Sequence, residues 1–257
     1  MTHAGPYVDV ETALAGTPFA AIYYVEETAS TNDDAAELLD SADAGGRTIV
    51  AEYQSRGAGR KGREWLAAAG TGLLFSTILP RAIAAERLWI VPFWAALCVR
   101  VALRECGVET TLQWPNDVLL GAGKIAGVLC RSTVTGPEAR VACGVGINVH
   151  RWREAASAIA PSPAFCDDVA TVDRRELLRA VLLEYHKALP LLERPERVTT
   201  AWEVAAGLPR RYRLAPDAAV PPFEAIAEGL DGGGGLRVRR DDGSLAIVAL
   251  ADARVLR

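Results

Sequence analysis

The spacing of apolar positions divides the chain into a long α+β stretch and a short all-β one. Ile22-Tyr23-Tyr24-Val25 reads as a strand. Residues 30–39 read as the start of a helix that Thr31 can cap, with Asp33 and Asp34 in the first turn, where they suit the positive end of the helix dipole. Residues 48–51 and 72–79 form two further strand patterns, the second stopped by Pro80. From 86 to 106 the chain is apolar nearly all round, the pattern of a helix buried against a sheet. Two apolar runs, 118–120 and 124–129, flank Gly121-Ala122-Gly123 and predict a hairpin. A strand at 140–145 then leads into Gly144-Val145-Gly146-Ile147-Asn148.

Asp173 stands at capping-box spacing from Glu176, ahead of a helix whose Leu177, Leu178, Val181, Leu182 and Tyr185 share one face. A second helical segment, 195–206, carries Trp202. After Gly207 the pattern changes to short β runs at 211–214, 223–227, 236–239 and 245–250, with turns at 232–235 and 241–243, which predict a small barrel. Two domains are therefore expected, residues 1–205 and 206–257. Residues 1–21, punctuated by Gly5, Pro6, Gly16 and Pro18, read as an irregular lead-in.

Composition narrows the function. Half of the 257 residues are hydrophobic and 23% are charged, a soluble globular balance. A net charge of −4 argues against a general nucleic-acid binder, which needs a basic face. The five cysteines (Cys98, Cys106, Cys130, Cys143, Cys166) include no C-x-x-C and read as reduced core thiols. The N-terminus has neither a basic start nor an apolar signal core, and no run reaches the length of a membrane span, so a cytoplasmic protein is expected. The histidines (His3, His150, His186) are scattered without ligand spacing.

Positive charge is concentrated in one place. Residues 51–65, AEYQSRGAGRKGREW, set three glycines (Gly57, Gly59, Gly62) and four cations (Arg56, Arg60, Lys61, Arg63) between an apolar run and a tryptophan. Glycine lets backbone N–H groups approach a ligand and arginine supplies forked donors, so the stretch suits an anion such as a nucleotide or acyl phosphate. It formally matches G-x-G-x-x-G, but no helix fits after Gly62 and a dinucleotide fingerprint requires one there. A kinase glycine-rich loop is excluded because no V-A-I-K, H-R-D or D-F-G partner follows.

Five motifs in order resemble the biotin protein ligases: Ser30-Thr31-Asn32, Glu52-Tyr53-Gln54 with the glycine-basic loop and Trp65, Trp114-Pro115-Asn116-Asp117, Lys124-Ile125-Ala126-Gly127, and Gly144-Val145-Gly146-Ile147-Asn148. The resemblance implies an α+β catalytic domain, with a mixed sheet and helices against one face, followed by an SH3-like C-terminal barrel. It also implies two chemical steps. Biotin's carboxylate attacks the α-phosphate of ATP to give biotinyl-5′-adenylate and pyrophosphate, and a lysine of a biotin carboxyl carrier protein then displaces AMP. ATP with Mg²⁺ and biotin are the implied small molecules, with no tightly bound prosthetic group, no DNA and no membrane, in a monomer or homodimer.

Carried over by position, the resemblance makes Lys124 the essential residue at the biotin carboxylate and α-phosphate, assisted by Arg60 and Arg63. Ser30, Thr31, Asn32 and Gln54 match the polar set for the ureido ring. Gly57, Ala58, Arg60, Trp65, Lys124 and Gly127 complete the biotin site. Asn116, Asp117 and Asn148, with Arg60, Arg63 and Lys124, match the ATP site, and Asp117 is the candidate Mg²⁺ ligand. The 56–63 loop is expected to be mobile without ligand and to order over the intermediate.

Three departures stand out. Ala58 occupies the place of the family's first loop arginine, while Arg56 sits two residues earlier. Gln113 replaces the lysine that often precedes Trp-Pro-Asn-Asp. The adenine-stacking aromatic is unplaced, with Trp152 and Phe165 as candidates. Only 29 residues precede Ser30, so a monofunctional ligase is expected rather than a ligase-repressor. The alternatives are a lipoate or octanoate ligase of the same superfamily and a catalytically weak biotin sensor.

Overall fold

The computed structural model describes residues 2–155, 159, 163–216, 221–250 and 253–256. Its main sheet has nine strands: β1 (Thr2–His3), β2 (Ile22–Thr28), β3 (Thr48–Gln54), β4 (Gly72–Ile78), β5 (Ile83–Ala84), β6 (Thr111–Gln113), β7 (Asp117–Leu120), β8 (Gly123–Thr135) and β9 (Glu138–Asn148). Their spatial order is β1-β2-β3-β4-β9-β8-β7-β6, with β5 beside β9. β2 and β3 run parallel and the other described pairs are antiparallel, so the sheet is mixed as expected.

Among the described residues five α-helices accompany it: α1 (Val8–Ala13), α2 (Thr31–Glu37), α3 (Val91–Glu105), α4 (Arg174–Ala188) and α5 (Pro195–Ala205). Side-chain alternation along the strands assigns them to faces. On β9, Val141, Cys143, Val145 and Ile147 join α3 and α4 in the main core. Ala142, between them, belongs to a separate cluster with Ala35 and Leu39, beside Ile49 and Ile78. Among the described helices, most packing thus lies on one face and α2 packs on the other. Burial from both sides explains why every residue of β4 is buried and why its sequence is a continuous apolar run broken only by Ser76 and Thr77.

The α3–α4 contact is well specified. The Trp94 indole N–H donates to the Ala188 carbonyl at 2.9 Å, and the Trp94 and Tyr185 rings lie 4.6 Å apart. Asp173 caps α4 as its sequence position predicts, accepting from the N–H groups of Arg175 (2.7 Å) and Glu176 (3.3 Å). Arg174 turns back instead, donating to the Glu52 carboxylate at 2.8 Å and to the Gly72 carbonyl at 3.2 Å, which pins α4 to β3 and β4.

The lead-in departs from expectation. Residues 8–13 are helical, and Tyr7, Val10 and Leu14 are buried, so the glycines and prolines bound a short helix. Burial beneath that segment pushes the Tyr7 hydroxyl up to about 12.

The C-terminal part forms a second, five-stranded antiparallel sheet: β10 (Arg210–Pro216), β11 (Phe223–Leu230), β12 (Leu236–Arg239), β13 (Leu245–Val248) and β14 (Ala253–Leu256), in the order β13-β12-β11-β10-β14. It docks on the first part through polar anchors. The Trp114 indole N–H donates to the Gly234 carbonyl at 3.0 Å, and the Leu230 N–H donates to Glu203 at 2.7 Å. All five cysteines are free thiols, and Cys98, Cys143 and Cys166 are buried.

Candidate active site

On the α2 face of the sheet lies a cavity of about 370 Å³, roofed by the glycine-basic loop. Ser30, Thr31 and Asn32 enter it from the start of α2, but not as caps. Ser30 has the extended backbone of an N-cap (φ −164°), yet its side chain makes no capping bond, and Thr31 is the first helical residue. The Thr31 N–H (2.8 Å) and its hydroxyl (3.0 Å) both meet the Gln54 side-chain oxygen, and the same hydroxyl lies 2.9 Å from that of Ser76. Thr31 has one hydroxyl proton, and an amide oxygen can only accept, so the proton goes to Gln54 and Ser76 donates to Thr31. The polarity of the floor is thereby set: the Gln54 NH₂ is the donor left for a ligand, and the hydroxyl oxygens are the acceptors. Asn32 donates to the Leu129 carbonyl at 3.1 Å, lies close over Gly144, and keeps a buried side-chain oxygen with no hydrogen-bond partner.

Lys124 projects from the start of β8, one residue after the hairpin turn, into the opposite part of the cavity. Its ammonium meets the Asp117 carboxylate at 2.6 Å and lies 5.4 Å from the centre of the Trp65 ring. Asn148 donates to the Lys124 carbonyl at 3.1 Å and so fixes the backbone that carries the ammonium. Asn116 exchanges bonds with Val128: its side chain donates to the Val128 carbonyl, its own carbonyl accepts from the Val128 N–H at 3.1 Å, and its side-chain oxygen is buried without a partner. Trp65 lies flat over the two central strands, and this requires glycine. A Cβ on Gly146 would come within 2.5 Å of the indole, and one on Gly127 within 2.8 Å of the Lys124 ammonium.

The loop is folded on itself. Gly59 N–H donates to the Arg63 carbonyl and Trp65 N–H to the Gly57 carbonyl, both at 2.7 Å, and Ala58 bridges Glu64 through its backbone. One 3₁₀ turn, Arg60–Gly62, is its only helical part, so no dinucleotide-type helix follows Gly62. Ala58, Arg60 and Arg63 line the inner cavity. The Arg60 guanidinium also donates to the carbonyl of Leu250 in the second sheet. Arg56, Gly57 and Lys61 line a second trough along the loop, which shares Arg60 and Arg63 with the cavity; Gly57 is not among the residues lining the cavity itself, though a Cβ there would stand 3.2 Å from the Gln54 side-chain nitrogen.

The other expected residues, Ser30, Thr31, Asn32, Gln54, Trp65, Asn116, Lys124, Gly127 and Asn148, all line the one cavity. Asp117 lies behind Lys124 and is not on the wall. That position bears on Mg²⁺. Among the described residues no group of three His, Cys, Asp or Glu side chains could hold a metal, and the carboxylate expected to ligate one is paired with the lysine. Asp117 is the carboxylate that would meet a Mg²⁺ carried in on the ATP phosphates, since this ion is usually held by one or two carboxylates together with phosphate oxygens and water.

Sequence reasoning missed Ser76, a hydroxyl in an otherwise apolar strand, and also Ile159 and Pro163 at the cavity's rim. Neither aromatic candidate for base stacking lies on the wall. Phe165 is buried, with the Arg151 guanidinium 4.8 Å above its ring, and Trp152 is elsewhere.

The fold is that of the biotin protein ligases. The chain superposes on the biotin protein ligase of Aquifex aeolicus, solved with biotin and ATP, with a TM-score of 0.74 at 24% identity, covering 92% of this chain and 98% of that one. Residues 24–148, the stretch that holds every side chain of the cavity floor, match the family model for the biotin/lipoate A/B protein ligase family.

Among characterised relatives, the biotin–[acetyl-CoA-carboxylase] ligase of Paracoccus denitrificans is 40% identical over 128 residues, 48% of this chain and 52% of that protein. The Mycobacterium tuberculosis enzyme of the same name is 32% identical over 181 residues, 66% of this chain and 64% of that one. The bifunctional ligase/repressor BirA of Escherichia coli is 30% identical over 186 residues, covering 70% of this chain and 56% of that protein. The chain therefore spans between half and two thirds of the length of these relatives.

Proposed function

We propose that this protein joins biotin to a lysine of a biotin carboxyl carrier protein at the expense of ATP, through biotinyl-5′-adenylate. The observation that carries the reading is the pairing, in one cavity, of a neutral donor–acceptor floor (Gln54, Thr31, Ser76) with a cationic end (Lys124, Arg60, Arg63). A ureido ring has two N–H donors and one carbonyl acceptor, which match the hydroxyl oxygens and the Gln54 NH₂. The wall between, formed by the Trp65 indole lying over Gly127 and Gly146, suits an alkyl chain. A lipoyl or octanoyl group would leave the polar floor unpaired, a cost of about 1–3 kcal/mol for each buried polar group.

In the first step the biotin carboxylate forms a bond to the α-phosphorus as the bond to pyrophosphate breaks. Both reactants are anionic, and the Lys124 ammonium is placed to offset their repulsion and the charge on the transferring oxygens. Asp117 holds that ammonium from behind, and Asn148 holds the backbone that carries it. In the second step the amine of the carrier lysine attacks the acyl carbon, AMP leaves with the bonding electron pair, and the amine loses a proton. The closed loop over the cavity keeps water from the anhydride between the steps.

This division of labour assigns residues 1–205 to the ligase unit and 206–257 to the barrel. A cytoplasmic location is part of this proposal; among the described residues no helix is long and apolar enough to cross a membrane. Pyrophosphate exchange into ATP, measured with biotin, lipoate and octanoate separately, tests the proposal. Exchange with lipoate alone would reassign the substrate, and tight biotin binding without exchange would make the protein a sensor.

A further inference from the structure

The glycine-basic loop separates two spaces. The inner cavity holds the chemistry, and on the loop's outer face a trough of about 580 Å³ runs between residues 56–64 and residues 129–131 of β8. Its side chains carry five cations (Arg56, Arg60, Lys61, Arg63 and Arg131) against one carboxylate, Glu64. The whole chain has a net charge of −4, so this concentration runs against the protein's average.

Arg60 and Arg63 are shared with the inner cavity; Arg56, Lys61 and Arg131 are not, and all three are exposed. Arg131 reaches Asp33 of α2 at 2.5 Å, across two side chains that are each about half exposed (46% and 47%). Such a pair is worth little and exchanges readily for another carboxylate.

We propose that the outer trough is the docking surface for an acidic face of the acceptor protein, with Arg56 and Arg131 as its principal contacts. This rests on the ligase reading above. The acyl carbon is under the loop, and an amine delivered by a folded protein must approach past the loop's rim, where these cations stand. A nucleotide's phosphates have their counter-charges in Lys124 and the inner arginines. Arg56, Lys61 and Arg131 do not line that cavity, and their exposed side chains stand where a macromolecule can meet them. Charges at a rim act on encounter and orientation more than on the bound chemistry, so their loss falls on the acceptor step alone.

The test uses the full chain with Arg56→Glu, Arg131→Glu and the double variant, each checked for an unchanged near-UV circular dichroism spectrum. Three rates are compared: biotin-dependent pyrophosphate exchange, trapping of the biotinyl group by hydroxylamine, which needs no docking, and transfer to an apo biotin carboxyl carrier domain of the acetyl-CoA carboxylase type. Each reversal is expected to lower kcat/KM for the carrier roughly tenfold and to flatten its dependence on salt. Exchange and hydroxylamine trapping stay within about twofold of wild type on the same grounds. Carrier transfer as fast in the double variant as in wild type overturns the proposal. A raised KM for ATP with carrier kinetics unchanged also overturns it, assigning the trough to the triphosphate. A wild-type protein with no biotin-dependent exchange would instead refute the ligase reading itself, which none of the variant outcomes does.

Discussion

Gly146→Ala adds a single methyl group beneath Trp65. Its Cβ would lie 2.5 Å from Cε2 and 2.7 Å from Nε1 of the indole, where ordinary contact begins near 3.4 Å. Something must therefore move by about 0.9 Å to restore ordinary van der Waals contact. The strand cannot yield easily, because Gly146 is paired with Leu74 on one side and Gly127 on the other. The backbone itself accepts alanine, since Gly146 is not among the glycines with positive φ. Trp65 is half-buried on a loop, so the indole yields.

Overpacking of this kind costs about 1–3 kcal/mol when the site resists. Here that cost appears as lost ligand affinity, roughly 5- to 150-fold at about 1.4 kcal/mol per factor of ten. Isothermal titration with biotin, alongside thermal melting, measures both sides. The expected result is weaker biotin binding in that range with a melting temperature within a few degrees of wild type. Unchanged biotin affinity would refute the placement of Trp65 as a wall of the biotin site. A large loss of stability with normal affinity would show that the strand, not the loop, had moved.

Three further outcomes are expected. Lys124→Ala removes the cation between the two anionic reactants and abolishes biotin-dependent pyrophosphate exchange, while circular dichroism shows the fold retained. Asp173→Ala loses a helix cap worth about 1 kcal/mol near neutral pH. Its hydrogen bonds to Arg175 and to the backbone hold the Asp173 carboxyl below its ordinary value, so that contribution is present above about pH 4 and disappears as pH falls through the lowered value; the stabilities of wild type and variant converge in acid. Limited proteolysis should cut residues 56–63 in the unliganded protein and spare them when biotin and ATP are both present; cleavage unaffected by ligand would contradict loop closure over the intermediate.

The parts of this molecule that obey a period were legible in the sequence, and those set by tertiary contact were not. α3, α4 and the strands β2, β3, β4, β7, β8 and β9 follow from their apolar spacing, whereas β1, β5 and β6, two or three residues long, show no period; Asp173 caps where its spacing to Glu176 predicts. Thr31 illustrates the limit. A threonine before two aspartates reads as a cap, and only the fold brings Gln54, 23 residues on, and Ser76, 45 residues on, to claim its hydroxyl. Ser76 carries no signal of its own in a strand buried on both faces. α1 was hidden because six residues between glycine and proline signals are too few to display a helical period. The roles of the cations in the 51–65 stretch could not be told apart either, since the four are near neighbours in sequence and only the folded loop brings Arg60 and Arg63, but not Arg56 and Lys61, to the cavity as well as the trough.

The central claim is that one cavity recognises a ureido ring at its neutral floor and joins the attached carboxylate to AMP at its cationic end. Pyrophosphate exchange into ATP tests it most directly, run with wild type and Lys124→Ala in the presence of biotin, lipoate or octanoate. The account predicts exchange with biotin alone, and none in the variant. Exchange driven by lipoate or octanoate but not by biotin would contradict it.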